Sequence, residues 1–150
     1  MIQSPGTGPT IIVADDEPPI RLVVSEKLRT AGYTVFEARD GDEALELILK
    51  HRPVAVITDL QMPYMNGLEL ATRLSAEPCT SSIPLLLLTA RGHILSEEQI
   101  SRTNIKKVMS KPFGVRDLLL YVQTQLIPAA TTIAAGSVRP EPFQARNEAA

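Results

Sequence analysis

The sequence predicts an α/β domain built on a doubly wound parallel sheet of five strands. Short apolar runs alternate along the chain with longer segments in which apolar residues recur at helical spacing, as in alternating strands and helices. Four of the short runs end in polar side chains, and the clearest of these is Asp59 after the run 54–58. Because ligands of open parallel sheets bind beyond the carboxyl ends of the strands, we expect the functional site at this edge.

Each predicted strand is a short apolar run bounded by turn residues. The strands are placed at residues 10–14, 33–38, 54–58, 84–88 and 105–110. The polar residues that follow four of them are Asp15 with Asp16, Asp59, Thr89, and Lys111. We therefore expect these side chains to converge at one edge of the sheet.

Helices fill the intervals between the strands. They are placed at residues 18–31, 40–51, 66–75, 92–103 and 115–126, the fourth being marginal because it has a glycine and few apolar residues. Pro18 starts the first helix and Gly32 ends it. Capping boxes are predicted at Asp40 with Glu43 and at Ser96 with Gln99. Inward-facing positions are predicted at Val24, Leu28 and Ala31, at Ala44, Leu45, Ile48 and Leu49, and at Val115, Leu118, Val122 and Leu126.

Length and composition suggest one domain of 150 residues with enough core to fold unaided. We expect a flexible leader at 1–9, the domain at 10–127, and a tail or the start of a linker at 128–150. The formal net charge of −2 gives no electrostatic reason to expect nucleic acid binding. The chain shows neither a membrane-spanning run nor a signal-peptide pattern. The single Cys79 excludes an internal disulfide bond, so we expect a cytoplasmic protein.

The converging residues suggest a specific chemistry. Asp15, Asp16 and Asp59 would form a group of carboxylates, which is costly unless a cation or proton joins them. Hard oxygen ligands that leave room for water suit Mg²⁺, and a carboxylate beside such a cation can attack phosphorus and form an acyl phosphate. Lys111 adds a positive charge and Thr89 a hydroxyl able to bond a phosphoryl oxygen. The set therefore favours phosphoryl transfer to Asp59.

The order of these residues resembles that of the receiver domain of two-component response regulators. The resemblance is carried by Asp15-Asp16, Asp59-Leu60-Gln61-Met62-Pro63 followed by Asn66-Gly67, Thr89, and Lys111-Pro112-Phe113. It covers about residues 10–127 and implies a flavodoxin-like fold with strand order 2-1-3-4-5. It also implies that a histidine kinase or histidine phosphotransfer protein donates the phosphoryl group, and that a downstream protein responds to it.

The resemblance also implies a role for each site residue. Asp59 is the implied phospho-acceptor, and Asp16 and Asp59 are implied direct ligands of Mg²⁺. Asp15 would contribute through water, and the Gln61 backbone carbonyl would be a further ligand. The domain would then be no enzyme beyond catalysing its own phosphorylation and dephosphorylation, and it would contact neither nucleic acid nor membrane.

Thr89 and Lys111 are implied as the switch pair that senses the phosphoryl group, and two departures from the family lie close to them. Most receivers carry Tyr or Phe three residues before the lysine, whereas this chain has Val108. Many receivers that dimerise through the fourth-helix face carry an acidic pair just before that aromatic residue. Here the pair is Lys106-Lys107, so that charge-matched dimer is not expected.

Two other functions remain open. Aspartate-nucleophile phosphatases of the haloacid dehalogenase type also place Asp, Thr or Ser, and Lys around Mg²⁺, but they need a second Asp two residues after the nucleophile, where this chain has Gln61. The other is a receiver-like module that binds proteins without being phosphorylated, against which Asp59, Lys111 and the acidic pair argue. Asp59 alone could be a simple helix cap, so the prediction depends on the joint order and spacing.

Overall fold

Five strands and five helices alternate in the computed structural model, which describes residues 8–90 and 95–127. The strands are β1 Thr10–Ala14, β2 Thr34–Ala38, β3 Ala55–Asp59, β4 Leu85–Thr89 and β5 Ile105–Ser110. The helices are α1 Pro18–Thr30, α2 Gly41–His51, α3 Gly67–Ala76, α4 Glu97–Ser101 and α5 Val115–Tyr121, which continues as a π-helical turn, Val122–Leu126. All strand pairs are parallel and the order is β2-β1-β3-β4-β5, so the predicted fold and strand order are confirmed.

The central strands β1, β3 and β4 are buried almost completely, as expected for parallel strands covered by helices on both faces. Side chains alternate between the faces. Ile11 and Val13 of β1 belong to the core layer under α1 and α5, whereas Ile12 and Ala14 belong to the layer under α2, α3 and α4. This packing holds the carboxyl ends of the strands in fixed positions.

The connection from β3 to α3 is unusually close to the strand end. Gly67 is the first residue of α3, and its amide donates to the Leu60 carbonyl at 2.8 Å. A Cβ atom at this position would collide with the Asp59 carbonyl oxygen. The Asn66 side chain caps the helix by accepting from the Glu69 amide at 2.8 Å. Glycine at this position therefore lets the helix start pack directly against the residue that ends β3.

Three positions predicted to face inward do not do so. Ala31 lies beyond the end of α1, where the helical stripe no longer applies, and it is exposed. Leu49 is 46% exposed because each residue turns about 100° around the helix axis, which carries it away from the buried Ile48. Val115 is the first residue of α5 and is only half-buried.

The predicted caps form to different extents. At α4 the capping box is complete, with Ser96 and Gln99 each accepting from the other's amide. At α2 only half of the predicted box forms. Asp40 accepts from the Glu43 amide at 2.8 Å, but the Glu43 carboxylate accepts from the Arg39 amide instead of the Asp40 amide.

Some of the predicted segments lie outside the described residues. These are 1–7, which is most of the predicted leader, 91–94 before α4, and the predicted tail 128–150. In the part of the chain that is described, no helix has both the length and the apolar character needed to span a membrane.

Candidate functional site

Three carboxylates meet at the carboxyl edge of the sheet, as the sequence predicts. Asp15 follows β1 and Asp59 ends β3, and these strands are neighbours with Ala14 in register with Thr58. Oxygen atoms of Asp15, Asp16 and Asp59 all lie within 4.8 Å of one another. Asp15 and Asp59 are only 1% and 4% exposed, whereas Asp16 is exposed to solvent. The cluster thus has two buried carboxylates and one at its open side.

Lys111 extends over the end of β4 into this cluster. Its Nζ atom lies 3.3 Å from Asp15 Oδ2 and 3.4 Å from Asp59 Oδ1, and it donates to Glu17 Oε1 at 2.9 Å. Its backbone amide donates to the Thr89 carbonyl at 2.7 Å, which fixes the start of the side chain beside β4. The peptide bond from Lys111 to the following proline is cis. One ammonium group therefore serves three carboxylates at once.

The charges in the cluster are poorly balanced. Burial and the Asp15 carboxylate, with a smaller contribution from Asp16, raise the pKa of Asp59 from 3.8 to about 6, although Lys111 opposes them. Burial also raises the pKa of Asp15 above its ordinary value, against the opposing effects of the Glu17 amide and Lys111. Burial alone would lower the pKa of Lys111, but the hydrogen bond to Glu17 and the charges of Asp15 and Asp59 outweigh it and raise that pKa.

The donor set fits a divalent cation with a preference for oxygen. The three clustered side chains are carboxylates, which are hard ligands, and one side of the cluster is open to water. Among the described residues, these three carboxylates share the single ammonium group of Lys111, so negative charge is in excess, and the charge of Asp15 adds to burial in raising the pKa of Asp59. A bound cation would relieve that excess.

Thr89 and Gln61 lie at the same edge, and within the described part of the chain their side chains form no hydrogen bond with the cluster. Thr89 is fully buried at the end of β4, and its hydroxyl has no hydrogen-bond partner among the described residues. A buried hydroxyl without a partner is uncommon and calls for an explanation. Gln61 lines the cleft beside Asp16 and Asp59.

Two residues that the sequence analysis did not select also belong to the site. Glu17 pairs with Lys111, and Arg21 Nη1 donates to the Asp15 backbone carbonyl at 2.7 Å. The sequence contained a signal for Arg21, because a cation close to the start of a helix opposes the helix dipole and needs another reason to be there. Glu17 offered no such signal, since an acid after an acidic pair is ordinarily a solvated cap.

An apolar wall lies beside the carboxylates. The cleft has a volume of about 930 Å³, and its apolar lining comes from the start of α1 and the segment after β5. These residues are Pro19, Ile20, Val23, Val24, Pro112, Phe113 and Val115. Leu22 and Val23 on α1 are 52% and 53% exposed. The site therefore opens beside a cleft with an apolar lining.

Comparison with known proteins gives one family. The model of the response regulator receiver domain matches residues 11–123. The phosphate regulon transcriptional regulatory protein PhoB of Pseudomonas aeruginosa is 34% identical over 119 residues, which cover 79% of this chain and 52% of that protein. The DNA-binding dual master transcriptional regulator RpaA of Synechocystis is 35% identical over 118 residues, covering 79% and 49%. The chain spans about half the length of these curated relatives.

Solved structures agree with this assignment. A putative response regulator from Chloroflexus aurantiacus superposes with a TM-score of 0.73 at 32% identity, covering 80% of this chain and 98% of that one. The chemotaxis response regulator CheY4 of Vibrio cholerae gives a TM-score of 0.71 at 32% identity, covering 78% and 98%. The cluster of Asp15, Asp16 and Asp59 fits the phosphorylation site of such phospho-acceptor proteins. The chain belongs to the family of response regulator receiver domains.

Proposed function

We propose that Asp59 accepts a phosphoryl group from a histidine kinase or a histidine phosphotransfer protein in a Mg²⁺-dependent reaction, and that the domain then signals to a protein partner. Receiver domains of this family interact with histidine kinases and downstream effectors. The observation that carries the proposal is the position of the Asp59 carboxylate, which ends β3 inside a cluster of two further carboxylates and Lys111.

The carboxylate cluster supports Mg²⁺ as the cation. Asp16 and Asp59 would hold it directly, Asp15 would act through water, and the Gln61 backbone carbonyl would be a further ligand. When bound, the cation would offset negative charge on the transferring phosphoryl group. Mg²⁺ suits the site because it typically keeps several waters and uses one or two carboxylates.

In the transfer step, a carboxylate oxygen of Asp59 forms a bond to phosphorus. The phosphorus–nitrogen bond of the donor phosphohistidine breaks, and the imidazole keeps the electron pair and takes up a proton. Asp59 attacks in its ionised form, which burial and the Asp15 carboxylate disfavour by raising its pKa to about 6. Lys111, 3.4 Å from Asp59 Oδ1, favours the ionised form and stays close to the new phosphoryl oxygens.

After transfer, Thr89 and Lys111 would sense the phosphoryl group. The Thr89 hydroxyl is buried without a partner among the described residues and would donate to a phosphoryl oxygen. Lys111 would exchange a carboxylate partner for another phosphoryl oxygen. Such local changes of partner bias a loop or helix between two arrangements.

The route of the signal should differ from that in receivers with an aromatic residue at the position of Val108. Val108 is half-buried against the core layer under α2, α3 and α4, and valine is stiff at its first torsion. It offers no ring whose rotation could follow Thr89. We propose that the signal travels through the segment after Thr89 into α4, a five-residue helix without a buried residue.

The apolar wall supports a docking place for the phosphoryl donor. Ile20 packs on the core, whereas Leu22 and Val23 present large exposed apolar side chains on α1. Phe113 continues this surface on the other side of the cleft. A helix of the donor packed here would bring its phosphohistidine to the open side of the carboxylate cluster.

The proposal also includes the boundaries of the domain and the cellular compartment. The match of residues 11–123 to the family supports a domain at 10–127, with a leader at 1–9 and a tail or linker at 128–150. We assign it no catalysis beyond its own phosphorylation and dephosphorylation. The exposed free thiol of Cys79 supports a reducing compartment, the cytoplasm.

The test is labelling with acetyl phosphate and Mg²⁺, followed by intact mass measurement. Wild type should gain one acid-stable, base-labile phosphoryl group, and Asp59→Asn should gain none. Asp42→Asn, which changes an exposed aspartate in the first turn of α2, is the matched control and should label normally. Full labelling of Asp59→Asn would refute the assignment, and steady turnover of p-nitrophenyl phosphate would favour the phosphatase alternative.

A further inference from the structure

Arg21 occupies a position that ordinarily disfavours a cation. It is the fourth residue of α1, close to the positive end of the helix dipole, where acidic residues are preferred. Its side chain is nevertheless well ordered by contacts and only 15% exposed. Helical side chains tilt toward the N-terminus, and this tilt carries the guanidinium back over the helix start toward β1 and β2. Because Arg21 makes specific contacts at a location that disfavours a cation, we infer that it has a functional role there.

The contacts of Arg21 converge on the backbone of the acidic pair. Nη1 donates to the Asp15 carbonyl oxygen at 2.7 Å, and Nε donates to Glu37 Oε1 at 3.2 Å. The Asp15 amide donates to the Ala38 carbonyl at 3.1 Å. Asp15 is therefore held on both sides of its Cα atom, by β2 through its amide and by Arg21 through its carbonyl.

The Asp15 carbonyl belongs to the peptide group that also contains the Asp16 nitrogen. Because the peptide group is planar, fixing that carbonyl fixes the direction in which the chain enters Asp16. The Asp16 side chain forms no hydrogen bond with any residue that the structure describes. Its carboxylate thus depends on the backbone for its position in the cluster.

We propose that Arg21 is a positioning residue for the divalent cation site, acting by holding the peptide group between Asp15 and Asp16. The proposal rests on the proposed function, since it takes Asp16 as a ligand of the cation. Arg21 does not touch the cation in this scheme. It keeps the exposed carboxylate of Asp16 where it can bind together with Asp59, so that the cation does not have to order it.

Arg29 provides a matched control within the same network. Its Nη1 donates to Glu37 Oε2 at 3.1 Å, so Arg21 and Arg29 share one carboxylate on β2. The two side chains are also similarly buried, at 15% and 18% exposed. Arg29 also donates to the Val35 carbonyl at 2.9 Å and pairs with Glu26 at 3.5 Å, and neither contact involves the acidic pair. Changes at Arg29 therefore disturb the shared ion pair without touching Asp15.

The charge of Arg21 and its positioning contact predict opposite effects on cation affinity when Arg21 is replaced. Removing a positive charge near the cluster would by itself strengthen cation binding, because Arg21 repels the cation. Loss of positioning would weaken it, and outer-shell partners of metal ligands typically contribute on the order of 10-fold or more in affinity. Arg21→Lys keeps the charge, but its single ammonium group cannot reproduce the fork that reaches both Glu37 and the carbonyl.

The experiment compares Mg²⁺ affinity by isothermal titration calorimetry for wild type, Arg21→Gln, Arg21→Lys, Arg29→Gln and Arg29→Lys at one ionic strength. We expect both Arg21 variants to bind Mg²⁺ about 10-fold more weakly, and both Arg29 variants to bind like wild type despite a comparable loss of melting temperature. In the metal-free protein, NMR order parameters of the Asp16 and Glu17 amides should fall in Arg21→Lys and stay unchanged in Arg29→Lys.

The other outcomes distinguish a failure of the Arg21 proposal from a failure of the proposed metal site. Unchanged or tighter Mg²⁺ binding by Arg21→Lys overturns the proposal, as does an equal loss in Arg29→Lys, which would show a general effect of stability. If Arg21→Gln fails to fold, Arg21→Lys decides the question. If wild type itself fails to bind Mg²⁺, the proposed metal site is wrong, a result distinct from a failure of Arg21 alone.

Discussion

Replacing Asp59 with asparagine should stabilise the metal-free protein near neutral pH, although it removes the proposed phospho-acceptor. The folded protein raises the pKa of Asp59 from 3.8 to about 6, mainly through burial and the neighbouring Asp15 carboxylate. A carboxyl group whose pKa is raised by folding opposes folding once it is ionised. Asparagine has a similar shape and no charge, so it removes that penalty.

The size of the effect follows from the pKa shift. Between the unfolded value of 3.8 and the folded value of about 6, the folded state binds more protons than the unfolded state, so stability falls as pH rises through this window. A shift of roughly 2 units corresponds to about 3 kcal/mol above the window, at about 1.4 kcal/mol for each unit. At about pH 4.5 the same linkage leaves a penalty of only about 1 kcal/mol. These values already include the opposing attraction of Lys111, 3.4 Å away.

Urea denaturation in EDTA gives the required comparison of wild type with Asp59→Asn. The variant should gain up to about 3 kcal/mol of unfolding free energy near pH 7.5, and the gain should shrink to about 1 kcal/mol near pH 4.5. Asp42→Asn, the exposed control on α2, should change stability by no more than about 0.5 kcal/mol at either pH. The reasoning would be refuted if Asp59→Asn were no more stable than wild type near neutral pH, or if its advantage did not depend on pH.

Three further predictions concern the site and the limits of the domain. Asp16→Ala should weaken Mg²⁺ affinity more than Asp15→Ala, because we propose only the former as a direct ligand, and equal losses by calorimetry would contradict that ranking. Lys111→Ala should still accept a phosphoryl group from acetyl phosphate, yet lose the amide shift changes that beryllofluoride produces in wild type; a normal response would rule out its switch role. Deleting residues 130–150 should leave melting temperature and labelling nearly unchanged, and a large fall in melting temperature would place our domain boundary in error.

The strands and the convergence of the site could be predicted because both follow from local pattern and parallel topology. A buried strand such as β3 is a continuous apolar run whose ends are marked by polar and turn residues. Once the strands are parallel, their carboxyl ends share one edge, and the order 2-1-3-4-5 implied by the resemblance makes β1 and β3 neighbours, so Asp15 and Asp59 come close. That step needs the order of the strands in the sheet and no knowledge of side-chain conformation.

The remaining contacts depend on side-chain conformations and on residues distant in sequence. Glu17 pairs with Lys111 because a long side chain crosses the end of β4, and no local pattern encodes that reach. The role of Arg21 depends on Glu37, which the fold brings to it from the next strand. At the end of α5, the amide of Ile127 donates to the Val122 carbonyl at 2.9 Å and closes a π-helical turn. The apolar periodicity of α5 does not predict this turn.

The site concentrates several arrangements that are unfavourable in the resting state. The buried carboxylates crowd around one ammonium group, and the Thr89 hydroxyl lacks a partner among the described residues. A bound cation would offset the crowded negative charge, and a phosphoryl oxygen would accept a hydrogen bond from the Thr89 hydroxyl. Because Asp59 would both bind the cation and carry the phosphoryl group, cation binding and phosphorylation should each change the free energy of the other, and such coupling must be reciprocal for binding. The aspartate that destabilises the metal-free fold would then be the group through which cation binding and phosphorylation favour each other.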